Sequence, residues 1–177
     1  MPMREPTRSE AQILDALGQI PGVAVAYFEL TQTQLNKSIV DAHQQIRTSF
    51  RATNFHDYDR QPQGREHAVE RSVQVLTPSG LVTSKMILRR PSSGNGDPRL
   101  WVVNFRKILS EATPGDLIAL VQDGSRCVVV DVSEAQRSSR GPSSVEEFFA
   151  EASASGDPDS ADEPEGLIDR ASNGRPE

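Results

Sequence analysis

"PGDLIALVQDGSRCVVVDV", residues 114–132, decides how the rest of the chain is read. Pro114-Gly115-Asp116 turns the chain into the apolar run "LIALVQ". Asp123-Gly124 turns it again into "RCVVVDV", which makes the clearest β-hairpin in the sequence. Working upstream, "LWVVNF" (100–105) reads as a further strand. "SVQVL" (72–76) and "LVTSKMILR" (81–89) flank a "TPSG" turn and form a second hairpin, and "VAVAYFEL" (23–30) is short, apolar and partly β-branched. Six or so strands with polar turns between them predict a mainly β (α+β) barrel or sandwich over residues 23–137.

The flanks differ. In "SEAQILDALGQIPG", Ile13, Leu14, Leu17 and Ile20 recur at helical spacing, with Ser9 as N-cap and Pro21-Gly22 as the stop, so residues 1–22 form a short N-terminal helical segment. Residues 31–46 are polar and follow neither period, and a long loop containing "NFHDYDRQPQG" precedes the first hairpin. "SVEEFFAEA" (144–152) predicts a short helix within residues 138–152, capped by Ser143 or Ser144. Residues 153–177 are acidic and poor in apolar side chains, which predicts a disordered acidic tail.

Charge is as uneven as structure. The net charge of −6 over 177 residues conceals two opposite regions. Residues 138–177 hold three Lys+Arg against ten Asp+Glu, whereas residues 36–107 hold twelve against six. A basic middle before an acidic tail suggests an anionic partner; a solvated mixed-charge surface is the alternative. Cys127 is the only cysteine, and its apolar setting marks a buried structural thiol. No segment is long and apolar enough to span a bilayer, and "MPMREPTRSE" lacks a signal-peptide apolar region, so a soluble cytoplasmic protein is expected.

Catalytic patterns are missing. A metal-dependent nuclease usually places a carboxylate two residues before a lysine. Lys37, Lys85 and Lys107 instead follow Leu35, Thr83 and Phe105. "HDYD" (His56, Asp57, Asp59) and "HAVE" (His67, Glu70) supply scattered potential ligands, which leaves a small metal-dependent hydrolase using His56, Asp57, Asp59 and Glu70 as a minor alternative. There is no phosphate-cradling glycine motif and no nucleophile elbow. The expectation is a non-enzyme without cofactor or metal.

The loop "RRPSSGNGDPR" (89–99) is bracketed by arginines and flanked by strands, which reads as a recognition arm. Together with "LTQTQLNKSIVDAHQ" (30–44) and the hairpin at 114–132, it resembles the N-terminal effector-binding domain of EcoRII-type restriction endonucleases, over roughly residues 25–135. His43-Gln44 matches that family's His-Gln pair, Asp97 and Arg99 match the acid and final arginine of its basic loop, and Gly115-Asp116-Leu117 matches its Gly-acid-Leu strand entry. The resemblance implies a DNA-binding β-pseudobarrel that grips duplex DNA between two arms, in a bacterial restriction-modification setting. In this chain the arm is nearly neutral and its positive charge sits before it, on Arg89 and Arg90. The nuclease domain that follows in those enzymes has no counterpart, so a separate nuclease or another protein is a possible partner.

Residue chemistry fits such a role. Arginine forks match the acceptors on a guanine edge and pair with phosphates, so Arg89, Arg90 and Arg99 either read bases or anchor the backbone. Gln44 and Asn95 can make paired bonds to adenine, and Gly94 and Gly96 let backbone N–H groups approach phosphate. His43 either donates to a base or phosphate or holds a structural hydrogen bond at a strand end. Arg47 and Arg51 track the backbone or are merely solvated, and Lys85 extends its head to the barrel rim. Trp101, Val103 and Phe105 alternate with period two and are expected to face the core together. All of this requires Arg89, Arg90, Arg99 and His43-Gln44 to share one concave wall. The competing reading is a protein-interaction domain whose acidic tail docks a basic partner.

Overall fold

The hairpin at 114–132 forms as its sequence dictates. In a computed structural model describing residues 3–92, 96–138 and 142–155, β6 (Leu117–Gln122) and β7 (Cys127–Asp131) pair antiparallel from Ile118↔Asp131 to Gln122↔Cys127. Every residue of both strands is buried, which is why they read as continuous apolar runs rather than alternating ones. Burial pushes the Cys127 thiol far above its usual range, so it remains a protonated packing group.

The second hairpin joins β3 (Val69–Thr77) to β4 (Gly80–Arg89). Its turn is closed by the Thr77 hydroxyl, which donates to the Gly80 carbonyl at 2.7 Å. β1 (Ala24–Glu29), β2 (Val40–Asp41) and β5 (Arg99–Val102) complete a seven-stranded sheet of order β1-β6-β7-β3-β4-β5-β2, curled into a half-barrel. The mainly β, α+β fold expected from the strands and turns is therefore present, and its curled sheet is consistent with the pseudobarrel that the resemblance implies. One junction is parallel: β3 meets β7 through Gln74↔Val128 and Val75↔Val129.

Helices close the concave side. α1 (Arg8–Gly18) begins two residues earlier than Ser9 as cap suggests, because Thr7 is its N-cap in a reciprocal capping box with Glu10. The polar stretch 31–46 resolves into α2 (Gln32–Lys37), strand β2 and the start of α3 (Gln44–Ala52). Ile46 and Phe50, four residues apart, are fully buried on one side of α3. They meet Val73, Val75, Met86, Leu88 and Val129 in a common core; truncating a ring such as Phe50 costs about 3–5 kcal/mol. Buried Gln122 fastens α3 to the sheet, donating to Ser49 Oγ at 2.7 Å and to the Ala24 carbonyl at 3.1 Å, and accepting from the Thr53 hydroxyl at 2.5 Å.

β5 is shorter than "LWVVNF" implies. It ends at Val102, and Asn104 adopts a left-handed conformation (φ 61°) that leads into α4 (Phe105–Ile108). Leu100 and Val102, not Trp101 and Val103, are the buried β5 side chains. Trp101 is partly buried at the core margin, with its ring 5.3 Å from that of Phe105.

After β7 the chain makes α5 (Val132–Arg137), capped by the Asp131 carboxylate, whose Oδ1 accepts from Glu134 N at 3.0 Å. Asp116 accepts two bonds from Arg137, at 3.0 and 3.2 Å, which hold it below its usual pKa despite burial. Asp131, buried beside Asp116, is pushed up to about 8 by desolvation and then by that neighbour. Residues 1–144 form one compact unit that includes α1. α6 (Ser143–Ser155) lies almost wholly in the second unit and runs three residues beyond the predicted helix. The predicted acidic tail from 156 onward lies outside the described residues. Among the described residues no helix is long and apolar enough to cross a membrane.

Candidate nucleic-acid interface

The arm at 90–98 leaves β4 and returns into β5, and the preceding loop buttresses its base. Arg90 Nη1 donates to the carbonyls of Tyr58 (3.2 Å) and Gln61 (3.1 Å), and its own carbonyl accepts from Gly64 N at 2.7 Å. Buried Gln61 donates to the carbonyls of Leu88 (2.9 Å) and His67 (3.0 Å), and its oxygen lies 2.9 Å from His56 Nε2. The Tyr58 hydroxyl donates to the Arg99 carbonyl at 3.1 Å; burial pushes that phenol far above its usual range. At the return, Ala42 N donates to the Pro98 carbonyl at 2.9 Å. Gly96 has φ 66°, and a Cβ there would collide with the Gln63 side chain. The left-handed turn therefore favours glycine at this position.

Two clefts flank this base. The first, about 370 Å³, lies between α3 and the arm and is lined by Gln44, Arg47, Thr48, Arg51, Asp57, Tyr58, Asp59, Arg90, Gly96, Asp97 and Pro98. It thus gathers Gln44, Arg47, Arg51, Arg90 and Asp97 from the predicted set. The helical residues do so because 44, 47, 48 and 51 fall on the face opposite Ile46 and Phe50. Its charges are mixed: Arg51 pairs with Asp59 at 2.6 Å and Arg60 with Asp57 at 3.7 Å.

The second cleft, about 190 Å³, lies on the other side of the arm. It is lined by Ile39, Gly64, Arg65, Arg89, Arg90, Pro91, Ser92 and Arg99, with no carboxylate among them. It shares Ile39, Arg89 and Arg99 with a groove of about 210 Å³ that extends to Lys37, Ile87 and Trp101. Strand register explains the cluster. Arg89 faces Arg99 and Ile87 faces Trp101 across β4–β5, and directly opposed residues project from the same sheet face. Among the described residues Arg90 Nε and Arg99 Nε are buried without a hydrogen-bond partner. Arg99 has one carboxylate nearby, Asp41, at 3.8 Å.

The single concave wall expected for Arg89, Arg90, Arg99 and His43-Gln44 is not formed. Gln44 lines the α3 cleft, Arg89 and Arg99 line the arginine cleft, and only Arg90 borders both. His43 is engaged elsewhere. β1 is an end strand of the sheet, and His43 Nε2 sits 3.2 Å from the Tyr27 carbonyl while Gln45 Oε1 accepts from Tyr27 N at 3.3 Å. The two side chains stand in for a missing neighbouring strand, so His43 takes the structural alternative, with its proton on Nε2. Lys85 is exposed on the outer face of β4 and pairs with Glu70 at 3.6 Å, lining neither cleft. Asn95 and Gly94 lie outside the described residues. Sequence reasoning missed Arg65, carried in by a 3₁₀ turn (Arg65–His67) after Gly64, and Lys37 at the end of α2.

The scattered ligands of the metal alternative have other partners. His56 bonds Gln61, Asp57 Oδ1 accepts from Asp59 N, and Asp59 and Glu70 pair with Arg51 and Lys85. Among the described residues no three His, Cys, Asp or Glu side chains group to hold a metal ion. Compared with known proteins, the chain matches no family model, no curated sequence and no solved structure.

Proposed function

We propose that the protein is a duplex-DNA-binding module without catalysis of its own, in the manner of a restriction-enzyme effector-binding domain, with two clefts at the arm base in place of the single wall expected from the sequence. The observation that carries this reading is the arm base: Arg90 borders two clefts whose linings bring in Arg47, Arg51, Arg65, Arg89 and Arg99. Arginines on both sides of the arm's base suit a polyanion with phosphates on both sides of a groove. The α3 cleft, with Gln44, Thr48 and Asp97 among its arginines, offers the donors and acceptors that base edges require. The arginine cleft offers charge. Such a module would act beside a separate nuclease or other protein.

The test is duplex affinity against salt. If about six phosphates are contacted, affinity falls on the order of 10³-fold between 50 and 200 mM salt. Salt-insensitive binding, or no binding to duplexes of random sequence at 50 mM, would overturn the proposal.

A further inference from the structure

In the α3 cleft Arg51 is paired with Asp59, and Asp57 and Asp97 also line it. On the other side of the arm Arg65, Arg89, Arg90 and Arg99 line a recess without a carboxylate in its lining. The Nε–H groups of Arg90 and Arg99 are buried without a hydrogen-bond acceptor among the described residues, and the one carboxylate near them is the exposed Asp41, 3.8 Å from Arg99 Nε. A buried guanidinium N–H without a partner costs stability unless a ligand oxygen completes it. The recess shares Ile39, Arg89 and Arg99 with an adjoining groove whose lining includes Lys37 and the partly buried Trp101. Four guanidiniums around a small recess favour the most concentrated negative charge available. A terminal phosphate monoester carries close to two charges and three free oxygens at neutral pH; an internal phosphodiester carries one charge. The Trp101 indole, which lines the adjoining groove together with Arg89 and Arg99, supplies a partly buried aromatic surface on which a base could stack.

We propose that this groove receives a 5′-phosphorylated nucleotide, with its terminal phosphate among Arg65, Arg89, Arg90 and Arg99 and its base against Trp101. In its natural form that nucleotide is the 5′ end of a DNA strand, a choice that rests on the DNA reading above. The same chemistry is presented by a free mononucleotide.

Trp101 is the chain's only tryptophan, so intrinsic fluorescence reports on this groove alone. Titrating the full-length protein with 5′-deoxyadenylate at low salt should change Trp101 emission saturably, whereas deoxyadenosine should not. Affinity should fall as pH is lowered through about 6, where the phosphate takes up its second proton while arginine stays charged. Arg65→Gln and Arg89→Gln, both at exposed positions, should each weaken the nucleotide by roughly tenfold, with the circular dichroism spectrum unchanged. A 5′-phosphorylated duplex should then bind roughly tenfold more tightly than its 5′-hydroxyl counterpart.

Equal responses to nucleotide and nucleoside, or undiminished binding by both variants, would overturn the inference. Nucleotide binding without discrimination between duplex ends would assign the groove to free nucleotides and overturn its assignment to DNA ends. Salt-sensitive duplex binding that ignores both the 5′-phosphate and the two variants would leave the DNA reading standing and remove this one.

Discussion

On the α3 side of the arm, Arg47, Arg51 and Arg90 share a cleft with Asp57, Asp59 and Asp97; on the other side, Arg65, Arg89, Arg90 and Arg99 share one with no carboxylate in its lining. Both clefts abut the same loop, yet their chemistry diverges. An arginine already paired with an aspartate gains less from a phosphate, because the incoming anion must displace or repel the existing one. A mixed lining instead presents donors and acceptors in fixed places, which distinguishes ligands by pattern. A lining of arginines alone distinguishes them by charge. Nucleic-acid readers separate these tasks, with phosphate contacts that position and base contacts that specify; under the function proposed above, the two would fall on opposite sides of Arg90.

The most damaging way to test the contrast is to remove what the clefts share. Arg90→Ala deletes two hydrogen bonds from a charged donor to the Tyr58 and Gln61 carbonyls, each worth about 1.5–3 kcal/mol. Urea denaturation should show a loss of that order, and duplex affinity should fall with both linings. Gln122→Leu acts on one side only. It strips Ser49, Thr53 and the Ala24 carbonyl of their common partner and should cost about 1–3 kcal/mol. It loosens α3 and its cleft, while nucleotide binding reported by Trp101 should be unchanged.

Acidity separates the clefts from the fold that carries them. Every cation lining the two is arginine and keeps its charge, but Asp131 is held protonated to about pH 8. Its folded pKa lies above the ordinary value, so its contribution to stability is complete below about pH 4 and is lost as pH rises through 8. Glu10, lowered to about 2 chiefly by its bond to Arg4, acts in the opposite sense, and its contribution is lost as pH falls from 4.5 toward 2. Thermal melts from pH 4 to 9 should therefore decline toward the alkaline end, and Asp131→Asn should flatten that slope. The smallest expected effect is Asp41→Asn, which frees Arg99 from an exposed pair at 3.8 Å. Pairs of this kind are worth about 0–1 kcal/mol, so nucleotide affinity should rise a few-fold at most.

The strands were legible because their signals are local: β-branched runs of five to ten residues between Gly, Pro and Asp turns. α3 was not, since "QQIRTSFRA" carries only Ile46 and Phe50 as large apolar residues. Their four-residue spacing was the available signal. Arg89 and Arg90 looked equivalent in sequence, but neighbouring residues leave a strand in opposite directions. Arg90 accordingly turns to the loop carbonyls while Arg89 stays on the outer face. Arg65 carried no sign at all. Its place depends on Gln61 reaching Leu88 and on Gly64 bonding Arg90, contacts between segments more than twenty residues apart. For His43 the sequence left open a nucleic-acid contact or a structural hydrogen bond at a strand end; its partner, the Tyr27 carbonyl, was not legible, because only the sheet order reveals that Tyr27 sits on an end strand.

The short parallel junction between β3 and β7 has a mechanical corollary. It is the one parallel pairing of the sheet, only two residue pairs long, and it separates β1-β6-β7, where α3 meets β1, from β3-β4-β5-β2, which carries the arm. Flexing at that seam would widen or narrow the α3 cleft, whose walls belong to different halves. The arginine recess, built wholly from residues 39–99, would ride along unchanged, like a fixed jaw facing an adjustable one.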